Sequence, residues 1–257
     1  MRTSIINKKP DFLIIGAQKC GTTSLFYYLM QHPELELPAR KELHFFDLNY
    51  ALGWNWYQKH FPDTESRQKY TGEASPYYLF HPLAPGRISM HLPNVKLVVL
   101  LRNPADRAYS HFMHQKKIKN EPLESFEEAL ELEDARITED ANKLMQGQIG
   151  TSLAHRIYSY TSRGFYYKQI SLWLSYFPKE QMHFIKSEDF FCRPEIELTA
   201  LYQFLGISQI LPGNCLPQNK GNYSTTIANN TRIRLNTLFH KDHESLVNLL
   251  GEKFRWY

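Results

Sequence analysis

The chain has 257 residues, 42% of them hydrophobic and 14% aromatic, enough for a buried core and too many for a disordered chain. A formal charge of +4 suits an anionic ligand but falls short of the dense basic clusters of a nucleic-acid-binding surface. Cys20, Cys192 and Cys215 are widely separated and odd in number, which argues against a disulfide framework, and no stretch reaches the roughly 18 apolar residues of a membrane span. With an N-terminus, MRTSIINKKP, that lacks an apolar signal core, the expectation is a cytoplasmic protein with no nucleic-acid or membrane partner.

The chain carries no repeat, low-complexity tract or linker, so residues 1–257 read as one domain with a short frayed start over 1–10. "DFLIIG" (11–16) is a short apolar run bounded by glycine, as a buried strand requires. "TTSLFYYLMQH" follows with Leu25, Phe26, Leu29 and Met30 at helical spacing, and Pro33 just beyond. "VKLVVLL" (95–101) predicts a second buried strand, after which Pro104 fits the first turn of a helix. "EPLESFEEALELEDARITEDAN" predicts an acidic, solvated surface helix, and "RGFYYKQISLWLSYF" a long, mostly buried one. "MHFIKSEDF" (182–190) reads as a third strand and "PEIELTALYQFLGI" as the helix after it, capped at Gly206. "HESLVNLLGEKF" closes the chain as a helix ending at Gly251. Strands alternating with helices imply a parallel sheet covered on both faces.

The first strand-to-helix turn nearly matches a P-loop. Gly16 and Gly21 keep the Gly-x-x-x-x-Gly spacing, but Thr22 stands where lysine would reach a triphosphate, with Thr23 and Ser24 after it and Lys19 before the second glycine. Backbone N–H groups at a helix N-terminus and three hydroxyls still suit an anion. At the end of "VKLVVLL", where an ATPase often carries a magnesium-binding aspartate, stands Arg102, which grips phosphate bidentately and repels a metal. The plain alternatives are an ordinary turn and a surface cation.

Taken in order, "IIGAQKCGTTSL", "KELHFF", "GEASPYYL" and "LLRNPADRAYSHF" resemble the sulfotransferases that use 3′-phosphoadenosine 5′-phosphosulfate (PAPS). The likeness is greatest to the branch of heparan sulfate sulfotransferase domains and related bacterial enzymes. It runs from about residue 11 to the C-terminus and takes in "RGFYYKQISLWL" and "NKGNYST". The resemblance implies an α/β, P-loop-like three-layer fold with a central parallel β-sheet flanked by helices. It implies that Lys19, Cys20, Gly21, Thr22, Thr23 and Ser24 hold the 5′-phosphosulfate and that Arg102 and Ser110 hold the 3′-phosphate. A late loop would add Lys220 and Gly221, with Asn222 where some relatives carry a basic residue. The donor leaves as adenosine 3′,5′-bisphosphate and no metal is required. Lys19 and Lys41 are candidates to meet charge developing on the bridging oxygen. For the general base the first choice is Glu73 and the second His44. The expected acceptor is a hydroxyl or amine of a small molecule, natural product or saccharide. The competing readings are a P-loop nucleotide kinase or NTPase, disfavoured by Thr22 and Arg102, and a catalytically silent nucleotide-binding protein of the same fold.

Overall fold

The computed structural model describes residues 9–62, 69–216 and 226–257. Its strands are β1 (Phe12–Gly16), β2 (Gly72–Ala74), β3 (Lys96–Leu101) and β4 (Met182–Lys186). They form one parallel sheet in the order β2-β1-β3-β4. β1 is buried along its whole length, as is β3 beyond Lys96. Helices cover a parallel sheet, so such strands read as unbroken apolar runs rather than alternating ones. Phe12, Leu13 and Ile14 pair with Gly72, Glu73 and Ala74 on one side. On the other they pair with Lys96, Leu97 and Val98, before a register irregularity at Gly16.

The helices are α1 (Thr22–Leu29), α2 (Trp54–Gln58), α3 (Ala84–His91), α4 (Pro104–Lys117), α5 (Phe126–Glu131) and α6 (Glu133–Met145). They continue with α7 (Leu153–Ile157), α8 (Tyr166–Leu174), α9 (Ser187–Cys192), α10 (Pro194–Leu205) and α11 (Asn229–Leu250). The expected α/β fold, a parallel sheet flanked by helices, is the observed one. From β1 the chain passes to one side for β2 and returns to the other for β3. The connections leaving the C-terminal ends of β1 and β3 therefore diverge, the place where open α/β sheets commonly bind ligands. Among the described residues no helix is long and apolar enough to cross a membrane.

Several segments depart from their sequence reading. "MHFIKSEDF" is a strand only to Lys186. Ser187 then opens α9, whose first turn holds Glu188 and Asp189, acidic residues that favour a helix N-terminus over a continuing strand. The acidic segment is two helices rather than one, and two of its carboxylates are buried. Glu133 accepts four hydrogen bonds from the backbone and side chains of Thr161 and Ser162, at 2.6 to 2.8 Å. Glu121 accepts from Arg136 and from the Tyr160 hydroxyl. The segment after Arg163 is a shorter, two-sided helix, with Tyr167 and Leu172 exposed and Ile170 and Trp173 buried. The last helix begins much earlier than expected, because the polar run "NNTRIRLN" hides an inward stripe of Thr231, Leu235, Phe239, His243 and Leu246.

Candidate active site

Three segments converge at the C-terminal edge of the sheet. The first is the turn from β1 into α1. Lys19 and Gly21 have φ of 70° and 98°, and at Gly21 a side chain is excluded twice over. Its φ is left-handed, and an added Cβ would stand 2.8 Å from the Phe191 ring. The first helical bond of α1 runs from Leu25 N–H to Gly21 C=O, and no side chain caps the helix. The N–H groups of Gly21 to Thr23 thus lie at an uncapped helix N-terminus, the kind of end that suits an anion. Thr22 and Ser24 are buried. The Cys20 N–H bonds to Ala17 C=O, and its C=O accepts from the Ser187 hydroxyl. Burial pushes its thiol up to about 11, so this side chain packs and stays protonated. Gly16 has a packing reason of its own, since a Cβ there would lie 2.5 Å from that of Leu79.

The second segment leaves β3. Asn103 caps α4, its side-chain oxygen accepting from the N–H groups of Ala105 and Asp106. This fixes the chain direction just after Arg102, whose C=O is also held by the Tyr166 hydroxyl at 2.9 Å. Ser110 is buried in the second turn of α4. Burial, and then the charge of Arg102, hold the Lys19 ammonium below the usual lysine range. Two cations from different strand ends therefore share this edge of the sheet.

The third segment is the turn "KELHFFD". Glu42 and His44 both have left-handed backbones, φ 64° and 53°. His44 Nδ1 lies 2.8 Å from Asp47 Oδ2, and its Nε2 lies 3.0 Å from Glu42 Oε2. Lys41 Nζ donates to Glu42 Oε1 at 2.8 Å, so Lys41 is a paired and largely covered side chain. Burial opposes charge on His44, but the bonds to Asp47 and Glu42 outweigh it and raise the imidazole to about 9. Burial likewise opposes charge on Glu42, but His44 and Lys41 outweigh it and bring the carboxyl down to about 2. Both imidazole nitrogens face carboxylates, so both donate, and His44 has no lone pair with which to take a proton.

Glu73 lies inside β2 and is 1% exposed. Its Oε1 accepts from the Tyr57 and Tyr78 hydroxyls, each at 2.8 Å, and its Oε2 accepts from Ser75 at 2.9 Å. Burial raises its pKa. The Glu42 side chain, by contrast, is 38% exposed, and its charge reaches Lys19. Sequence reasoning passed over Glu42 and Asp47. The signal was present as the Glu-x-His-x-x-Asp spacing around a histidine already singled out. Lys220, Gly221 and Asn222 lie outside the described residues.

The Sulfotransferase domain family model matches residues 9–237. The membrane-associated sulfotransferase kil1 of Dictyostelium discoideum is 31% identical to the chain, over 96% of this chain and 66% of its own length. The bifunctional heparan sulfate N-deacetylase/N-sulfotransferase 1 of Caenorhabditis elegans is 30% identical, over 94% of this chain and 30% of its own. The chain thus spans less than two thirds of either relative. The crystal structure of a sulfotransferase from Alicyclobacillus acidocaldarius is similar with a TM-score of 0.78 at 30% identity, over 94% of this chain and 96% of that one.

Proposed function

The chain belongs to the sulfotransferase domain family and is an enzyme of sulfuryl transfer, and on that premise we propose that its donor is PAPS, its acceptor a hydroxyl or amine of a small molecule, natural product or saccharide, and its general base Glu42. The observation that carries this reading is the juxtaposition of an uncapped helix N-terminus, Lys19 and Arg102 with a half-exposed carboxylate whose charge reaches Lys19. A saccharide acceptor is supported by the heparan sulfate enzyme among the relatives.

The donor set fits a doubly phosphorylated anion. The N–H groups of Gly21 to Thr23 and the hydroxyls of Thr22 and Thr23 would hold the 5′-phosphosulfate, and Arg102 and Ser110 the 3′-phosphate. When bound, this donor supplies an activated sulfuryl group on a good leaving group, so positioning and electrostatics dominate the transfer. Lys19 is a compact charge that can follow charge developing on the bridging oxygen. Each carboxylate oxygen of Glu42 has one described partner and keeps a further lone pair for an acceptor proton. Asp47 and His44 hold Glu42 in one orientation. An acceptor seated over Glu42 would remove its remaining water and raise its basicity.

The enclosure of Glu73 by three hydroxyls argues for Glu42 over Glu73 as the base. Thermal melting with adenosine 3′,5′-bisphosphate, ATP and ATP–Mg²⁺ tests the donor. At about 100 times its dissociation constant the bisphosphate should stabilise the protein by ~2.7 kcal/mol, and Arg102→Met should remove most of that. Stabilisation by ATP–Mg²⁺ and none by the bisphosphate would sink the PAPS reading. Turnover of labelled PAPS over an acceptor panel, with mass detection of the sulfated product, then identifies the acceptor.

A further inference from the structure

We propose that Glu73 is a positioning residue, which through three hydroxyl groups sets the geometry of the turn carrying Glu42, His44 and Asp47; this rests on the reading of Glu42 as the base.

Each hydroxyl on Glu73 belongs to a side chain that also grips the turn. Tyr78 Oη accepts the N–H groups of Phe45 at 2.8 Å and Phe46 at 3.4 Å. Ser75 Oγ accepts the N–H of His44 at 3.1 Å. The Tyr57 ring stacks on Phe45, with centroids 4.6 Å apart and planes 16° apart. The residue after Glu73 completes the template, for Ala74 C=O accepts the N–H of Glu42 at 3.1 Å. Glu73 and Ala74 of β2, with Ser75 just beyond it, thus hold a turn in which two non-glycine residues keep left-handed backbones, a conformation that persists only where surroundings over-determine it.

The direction of donation makes the carboxylate specific. A backbone N–H can only donate, so the oxygens of Tyr78 and Ser75 must accept there, and their own protons are left for Glu73. Glu73 must then accept from Tyr78 at Oε1 and from Ser75 at Oε2, with the Tyr57 hydroxyl as a third donor at Oε1. A carboxylate accepts at both oxygens, whereas a glutamine amide puts an NH₂ group, two donors and no acceptor, in place of one of them and reverses the relay there. Among the described residues Glu73 has no ion-pair partner. A buried carboxylate without a cation is unfavourable unless its hydrogen bonds are complete, and here they complete the support of the turn. The charged groups on His44 are Glu42 and Asp47, both on the turn itself. The groups packed on Glu73 are Tyr57, Tyr78 and Ser75, with Asp47 acting at longer range.

The test is an NMR titration of the His44 imidazole in the wild type, Ser75→Ala, Tyr78→Phe and Glu73→Gln, with melting curves in parallel. Ser75→Ala and Tyr78→Phe each remove one hydroxyl and keep the packing shape, so the experiment does not depend on Glu73→Gln folding. The expected result is a His44 titration point lowered by about 1 pH unit or more in the two conservative variants, as the imidazole loses alignment with Glu42 and Asp47. A merely structural role would lower the melting temperature and leave His44 titrating as in the wild type, and that result would overturn the proposal. Turnover of PAPS by Glu42→Gln is measured alongside. Wild-type turnover in that variant would remove Glu42 as the base without touching the titration result.

Discussion

Replacing His44 with glutamine should flatten the dependence of thermal stability on pH between about 6.5 and 9. The folded-state pKa is raised, so protonated His44 stabilises the fold. That contribution is complete below the unfolded value of 6.5 and is lost as pH rises through about 9. The rise, at 1.36 kcal/mol per pH unit, corresponds to at most ~3 kcal/mol. Part of it must be discounted, because the Glu42 side chain is 38% exposed and its pairing with His44 is screened by water. Asp47 is fully covered, and its bond to His44 carries the remainder, about 2 kcal/mol. For a chain of this length ~2–4 °C accompany each kcal/mol, so the effect should be about 4–8 °C. The assay is a series of melting curves from pH 6 to pH 9.5 at constant ionic strength, for wild type and His44→Gln. The wild type should lead at low pH and converge on the variant at high pH. Parallel curves would refute the assignment of a charged His44 held between two carboxylates.

Other perturbations follow from the same geometry. Glu42→Gln should lower kcat by about 10²–10⁴-fold with bisphosphate-induced stabilisation intact, and normal kcat would remove Glu42 from the chemistry. Gly21→Ala places a side chain at φ 98° and against Phe191. The exposed Phe191 ring can swing aside, so the backbone cost of ~1–2 kcal/mol should dominate; calorimetric titration with the bisphosphate should show weakened binding, and unchanged affinity would count against the anion cradle. Glu133→Ala strips four hydrogen bonds from Thr161 and Ser162 and strands two backbone N–H groups. The expected loss is at least ~2 kcal/mol in urea unfolding, and an unchanged midpoint would show that water replaces the carboxylate there.

The elements legible in the sequence were those whose burial is nearly complete. β1 and β3 are apolar on both faces, so their runs admit no other reading, and Gly21 and Pro104 mark the helices that follow. α11 was half hidden because a stripe of one residue in four leaves its N-terminal half looking polar. Glu121 and Glu133 looked solvated for a similar reason: an acid buried by distant hydroxyls or a guanidinium cannot be told in sequence from one facing water.

By itself the sequence determined the strand–loop–helix order, the glycine spacing of the first turn and the presence of Arg102 where a metal-binding acid often stands, because each depends on neighbours within a few positions along the chain. Which carboxylate stays partly exposed was decided only by the tertiary structure. Glu42 and Glu73 are both acids without an aromatic neighbour in sequence, and their segments meet through a bond between His44 and Ser75, 31 positions apart. Parallel pairing of β2 with β1 sends Glu73 inward under three hydroxyls and leaves Glu42 on the turn above, with a side chain 38% exposed and its charge reaching Lys19. Burial depends on what arrives from elsewhere in the chain, and that information exists only once the sheet has formed.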